Sequence, residues 1–179
     1  MTQSDRPTTL IKVTRRLLLL AVFLLLAVQA IRVKRENPIV DQTRKLEATA
    51  PVPPVIHEIL RRSCNDCHSN ETVWPWYSRV APVSWIVVYD VREGRSDLNF
   101  SEWGSYTIKE KGDKLDEICG RVRRDEMPDG KYTLVHRNAR LTAEERSAVC
   151  AWSEQVRKAL SESSPLSSMP TSSLAGIGP

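Results

Sequence analysis

The stretch Ser63–Ser78 reads SCNDCHSNETVWPWYS. It sets two cysteines and a histidine in the order C-x-x-C-H, continues with a polar run, and ends on a knot of aromatic side chains. Three chemistries use cysteines at this spacing. In the first, the two thiols add across the vinyl groups of a porphyrin, and the histidine that follows at once lies beneath the ring and ligates its iron. In the second, the pair is a redox dithiol, normally at a helix start after a strand. In the third, it is half of a zinc site that two further ligands complete.

The neighbouring residues weigh these readings. Before the motif, Val55, Ile56, Ile59 and Leu60 share one face of an expected short helix. That helix begins near Pro54, a residue suited to a first helical turn, and runs into Cys64. No strand–helix–strand pattern surrounds the pair, which counts against the dithiol. For zinc, His57, His136, Cys119 and Cys150 are at hand, but none forms a second closely spaced ligand pair.

After the motif, eight of the 11 aromatic residues fall between 74 and 106. That is more apolar area than a small core needs, and a haem offers two large apolar faces to cover. The haem reading therefore takes Cys64 and Cys67 as covalent anchors and His68 as proximal ligand. Trp74, Trp76, Tyr77, Trp85, Phe100 and Trp103 are candidates for the pocket wall, and Arg95 is a candidate partner for a propionate. Met127, in an expected loop before Pro128, is the one methionine placed to reach the iron from the other side, with His136 as runner-up. A thioether ligand would raise the reduction potential relative to a second histidine.

The remaining helices follow from periodicity. Pro82–Glu93 puts Val83, Ile86, Val87 and Val91 on a face, with Gly94 available as a stop. Asp113–Arg124 spaces Leu115, Ile118, Cys119 and Val122 helically, and Thr142 with Glu145 makes a capping box ahead of the stripe Val149, Trp152, Val156 and Leu160. Cys119 and Cys150 thus lie on the last two expected helices. In an oxidising compartment such a leftover pair invites a disulfide, which here would close a loop containing Met127. The expected fold is all-α, a small helical domain around one haem.

Charge and hydropathy bound the rest. Residues 1–45 hold nine Lys/Arg against three acidic side chains, and residues 46–179 hold 17 against 19. The basic charge flanks an apolar segment while the body is slightly acidic, which sets nucleic acid aside as a partner. Leu17–Ile31 carries no charge over 15 residues, short for a bilayer span and long for a signal-peptide core. A transmembrane anchor over 15–33 with snorkelling arginines is the favoured expectation; cleavage after Ala30 as a signal peptide is the alternative. Around it the chain divides into a cytoplasmic N-terminus (1–14), a proline-bearing linker (34–53), the haem domain (54–160) and a disordered Ser/Pro-rich tail (161–179).

The strings SCNDCHSNETVWPWYSRVAPVSW, DVREGRSDLNFSEW, EMP and YTLVHRNARLTAEERSAVCAW, over roughly 30–155, resemble the bacterial haem-binding domain family related to cytochrome c. The resemblance implies a cytochrome c-like fold, and haem c on Cys64 and Cys67 with His68 as axial ligand. It also implies single-pass attachment to the bacterial cytoplasmic membrane with the domain facing the periplasm. The expected function is single-haem electron transfer with unnamed redox partner proteins. The alternatives are a peroxide- or gas-handling or sensing haem with an open distal site, and a zinc or dithiol redox protein. No catalytic constellation beyond the haem is visible.

Overall fold

Residues 6–163 are described by a computed structural model; most of the tail expected over 161–179 lies outside them. The described chain is helical, with no strand among the described residues. Its α-helices are α1 (Arg6–Val28), α2 (Leu46–Thr49), α3 (Pro54–Ser63), α4 (Asn65–His68), α5 (Val83–Asp97), α6 (Ile108–Arg123), α7 (Gly130–Val135) and α8 (Ala143–Glu162). Short 3₁₀ helices cover Trp76–Arg79, Phe100–Ser105 and Arg137–Ala139. Helix starts obey local chemistry. Pro54 opens α3, and two reciprocal capping boxes, Thr107 with Glu110 and Thr142 with Glu145, open α6 and α8.

The chain divides into two compact units, one made of the chain up to Glu36 together with Val73–Glu93, the other of Asn37–Thr72 and the chain from Gly94 onward. In the first unit, the segment after α1 is stitched to residues 78–85 by polar contacts. The Gln29 side-chain amide donates to the Ala81 carbonyl at 2.9 Å and accepts from the Ala81 N–H at 3.0 Å. Arg35 donates to the Ser78 carbonyl, and the Trp85 indole N–H donates to the Ile31 carbonyl.

The expected transmembrane anchor is overturned here, because no helix among the described residues is long and apolar enough to cross a membrane. In α1, Lys12, Arg15 and Arg16 charge the first half, and the helix ends at Val28. The uncharged run left inside it, Leu17–Val28, rises only about 18 Å at 1.5 Å per residue, against about 30 Å of bilayer hydrocarbon. The expectation of single-pass anchoring in the cytoplasmic membrane, with a periplasm-facing domain, falls with it.

The second unit holds the hydrophobic core. Ile56, Ile59 and Leu60 of α3, Leu115 and Val122 of α6, and Val149, Trp152 and Val156 of α8 pack with Phe100, Trp103 and Leu141. Leu46 of α2, from the stretch expected to be linker, joins them and is fully buried. Helices α6 and α8 run side by side and are joined by the Cys119–Cys150 disulfide, with Cα atoms 4.6 Å apart.

Candidate functional site

The two motif strings of the second unit interlock through buried polar groups. After the C-x-x-C-H loop, the Asn70 N–H donates to the Ser101 hydroxyl at 3.0 Å. The Asn99 side chain donates to the Asn70 side-chain oxygen at 2.8 Å and accepts from the Ser101 N–H. Ser69 donates to the Asn65 carbonyl, and Thr72 to the Asp66 carbonyl. These side chains are buried, so each bond satisfies a group that would otherwise be desolvated without a partner. The result is that C-x-x-C-H-S-N is held in one conformation against L-N-F-S.

The last turn of α5, from Gly94 onward and within the second unit, reinforces the loop. Gly94 does not stop this helix, as the sequence suggested, but lies inside it. A Cβ at Gly94 would sit 2.7 Å from the Cys67 carbonyl oxygen and 3.1 Å from the Cys67 Cβ. Glycine is required there because helix backbone and loop backbone touch. The same turn orients His68, whose Nδ1 lies 2.8 Å from the Gly94 carbonyl oxygen and 3.1 Å from that of Leu98. Two carbonyls can only accept, so Nδ1 carries the proton and Nε2 keeps its lone pair. Burial holds the His68 pKa below the ordinary value, partly offset by the Leu98 and Gly94 carbonyls, so the neutral imidazole is favoured.

His68 and Cys64 line a cleft of about 720 Å³, part of it open to solvent. Its walls are Leu60, Leu98, Phe100, Ile118, Val122, Leu141 and Val149, with Met127 and Pro128 contributed by the loop between α6 and α7. A predominantly apolar lining with a few convergent polar groups is the usual character of small-molecule and cofactor sites. Lys114 and Arg121, both on α6, are the cationic side chains in the lining.

The structure therefore brings Cys64, His68, Phe100 and Met127 to one cleft. Cys67 packs beside Gly94 and is outside the lining. Trp103 is buried in the core of the same unit, away from the cleft lining. Trp74, Trp76, Tyr77 and Trp85 belong to the first unit, and Trp76 is largely exposed. Arg95 is engaged elsewhere: it donates to the Ser69 carbonyl at 2.7 Å, the Thr72 hydroxyl at 2.7 Å and the Asn37 side-chain oxygen at 2.9 Å. It braces the loop after His68. His136 is half-buried and stacks on Tyr132 with ring centroids 4.3 Å apart, outside the cleft lining.

Lys114 and Arg121 escaped the sequence reading, since a Lys or Arg on an amphipathic helix is more often solvated than cleft-lining. The approach of Gly94 to Cys67 was equally hidden, because a glycine near a helix end first suggests a cap.

The donor set also bears on the rival chemistries. Among the described residues no group of three or more His, Cys, Asp or Glu is placed to hold a metal ion, so Cys64 and Cys67 lack companions for zinc. Burial pushes the Cys64 thiol up to about 12, with Cys67 adding to the rise and Arg62 opposing it. A redox dithiol needs the opposite shift, towards the thiolate. A haem fits what is present: an apolar cleft, a thiol at its edge and an imidazole held in the ligating tautomer.

Comparison with known proteins agrees. The family model for the haem-binding domain matches residues 23–155. The chain belongs to the haem-binding domain family. No curated protein and no solved structure gives a significant match to it.

Proposed function

We propose that this haem-binding chain carries a single haem c, attached by thioethers to Cys64 and Cys67 and ligated by His68 and Met127, and that it transfers electrons. The observation that carries the proposal is the hydrogen bonding of His68. With Nδ1 committed to the Gly94 and Leu98 carbonyls, the ring can offer only Nε2, and His68 lines the same cleft as Met127. Second-sphere carbonyls of this kind fix a ligating imidazole's tautomer and orientation and raise its basicity.

A bound haem would supply the one-electron chemistry of its iron. The protein's part is to hold and tune it. Leu60, Phe100, Ile118, Val122, Leu141 and Val149 exclude water from the faces, and Lys114 and Arg121, held here by the Asp97 carbonyl and the Glu117 carboxylate, would exchange those partners for the two carboxylates of the porphyrin edge. The thioether ligand assigned to Met127 favours the reduced state.

The test is the visible spectrum of protein matured with covalent haem attachment. Low-spin haem with a methionine–iron charge-transfer band in the oxidised form, absent in Met127→Ala and retained in His136→Ala, is expected. High-spin haem in the unmodified chain would refute Met127 as a ligand and point to an open distal site.

A further inference from the structure

Met127 sits in a loop whose two ends are anchored differently. At the start, α6 closes with a Schellman arrangement: the Glu126 N–H donates to the Arg121 carbonyl at 3.0 Å and the Asp125 N–H to the Val122 carbonyl at 3.2 Å. Asp125 takes the left-handed position, with φ 58°, and its carboxylate accepts from Arg146 of α8. That end is tied to a helix which the disulfide already fixes to α6.

At the far end, Asp129 caps α7, accepting from the Lys131 N–H at 2.6 Å. Helix α7 itself has little apolar burial: Thr133 is its buried residue, while Leu134 and Val135 are exposed. Hydrophobic packing therefore does not settle where α7 lies. A polar bridge does bear on it, because the Tyr132 hydroxyl donates to the Asp66 carboxylate at 2.8 Å. Asp66 is the second residue between Cys64 and Cys67.

We infer that Tyr132 is a positioning residue that latches the Met127 loop onto the haem-attachment loop, so that the two loops of the cleft are held as one piece. The inference rests on the reading of Met127 as an axial ligand. Asp66 lies in the loop that ends at His68, and Tyr132 lies five residues beyond Met127. The bond thus links the chain segments carrying the two proposed ligands without passing through either. Stacking of His136 on Tyr132 orients the phenol ring and keeps His136 engaged as part of the latch. A hydrogen bond to a carboxylate is among the stronger ones, so its loss should favour the state in which Met127 has left the iron.

The experiment uses full-length haem-loaded protein and reads the affinity of added imidazole for the oxidised haem, a measure of how readily Met127 gives way. Tyr132→Phe removes only the hydroxyl and preserves the stack. It should bind imidazole about tenfold more tightly than the unmodified chain and weaken the charge-transfer band on warming. Thr142→Ala, which loosens the start of α8 instead, should leave imidazole affinity unchanged although it lowers overall stability. An unchanged affinity in Tyr132→Phe, with Met127→Ala binding imidazole much more tightly, would overturn the latch and leave Met127 ligation standing. If Met127→Ala itself bound imidazole no more tightly, ligation and latch would fall together.

Discussion

Alanine at Gly94 and alanine at Gly112 make the same chemical change in helix interiors and should move stability in opposite directions. Each gains the intrinsic preference of alanine over glycine, about 0.8–1.0 kcal/mol in a helix. At Gly112 of α6, the nearest atom to an added Cβ is the Arg157 Cγ at 3.9 Å, an ordinary contact. The gain there should be realised nearly in full. At Gly94 the Cβ would meet the Cys67 carbonyl oxygen at 2.7 Å and its carbon at 3.1 Å, both backbone atoms. Relieving that overlap means parting α5 from the loop by roughly half an ångström or more, and overpacking of this kind costs about 1–3 kcal/mol. Moving α5 also disturbs the Gly94 carbonyl that accepts from His68. Net destabilisation of up to about 2 kcal/mol is expected for Gly94→Ala, with loss of haem incorporation or a changed reduction potential. Denaturant unfolding of the haem-loaded chain, with the potential measured in parallel, checks both. A Gly94→Ala protein as stable as Gly112→Ala, with an unaltered potential, would refute the claimed helix–loop contact.

Other consequences are as direct. Replacing both Cys119 and Cys150 by alanine should cost about 3–4 kcal/mol in urea unfolding, since the bridge closes a loop across 31 positions; a loss below 1 kcal/mol would mean that α6 and α8 are held by packing alone. Ser101→Ala leaves the buried Asn70 N–H without its acceptor and should cost about 1–3 kcal/mol, read by the same assay. Backbone hydrogen bonding from Thr142, with help from Arg62, holds the Glu145 carboxyl below its ordinary range. Its folded pKa is thus lower than its unfolded one, so its contribution is complete above the unfolded value near 4.3 and fades as pH falls through the folded value. Glu145→Gln, which keeps the capping geometry, should flatten this part of the acid limb by no more than about 1 kcal/mol; an unchanged limb counts against it.

Periodic and capped elements were legible from the residues themselves. The Thr142–Glu145 box marks where α8 begins, and the residues Val149, Trp152 and Val156 face the core as their spacing implies. Helix ends were harder. The end of α6 has no glycine at its left-handed residue, since Asp125 occupies it, and α5 runs through the glycine that looked like a stop. In both cases a tertiary contact decides: the pairing of Arg146 with the Asp125 carboxylate and the approach of the Cys67 backbone. Short elements held by long-range burial, such as α2 with Leu46, leave no local period to read. Motif chemistry singles out Cys64 and His68, Met127 is the one loop methionine placed to join them, and all three line one cleft. The arginine chosen for a propionate illustrates the limit: sequence places Arg95 near the motif, but only coordinates reveal that Ser69, Thr72 and Asn37 engage it. Hydropathy misled most over α1, where the leucine run shares one helix with four cations, Arg6, Lys12, Arg15 and Arg16.

The central claim is that Cys64 and Cys67 carry a covalent haem. Intact-protein mass, measured after denaturation on chain produced with a cytochrome c maturation system, tests it most directly. One haem's mass added to the polypeptide is predicted, together with a pyridine haemochrome spectrum of the bis-thioether type. Cys64→Ser with Cys67→Ser should abolish both. Protein recovered at its bare polypeptide mass, or haem that departs on denaturation, would contradict the account.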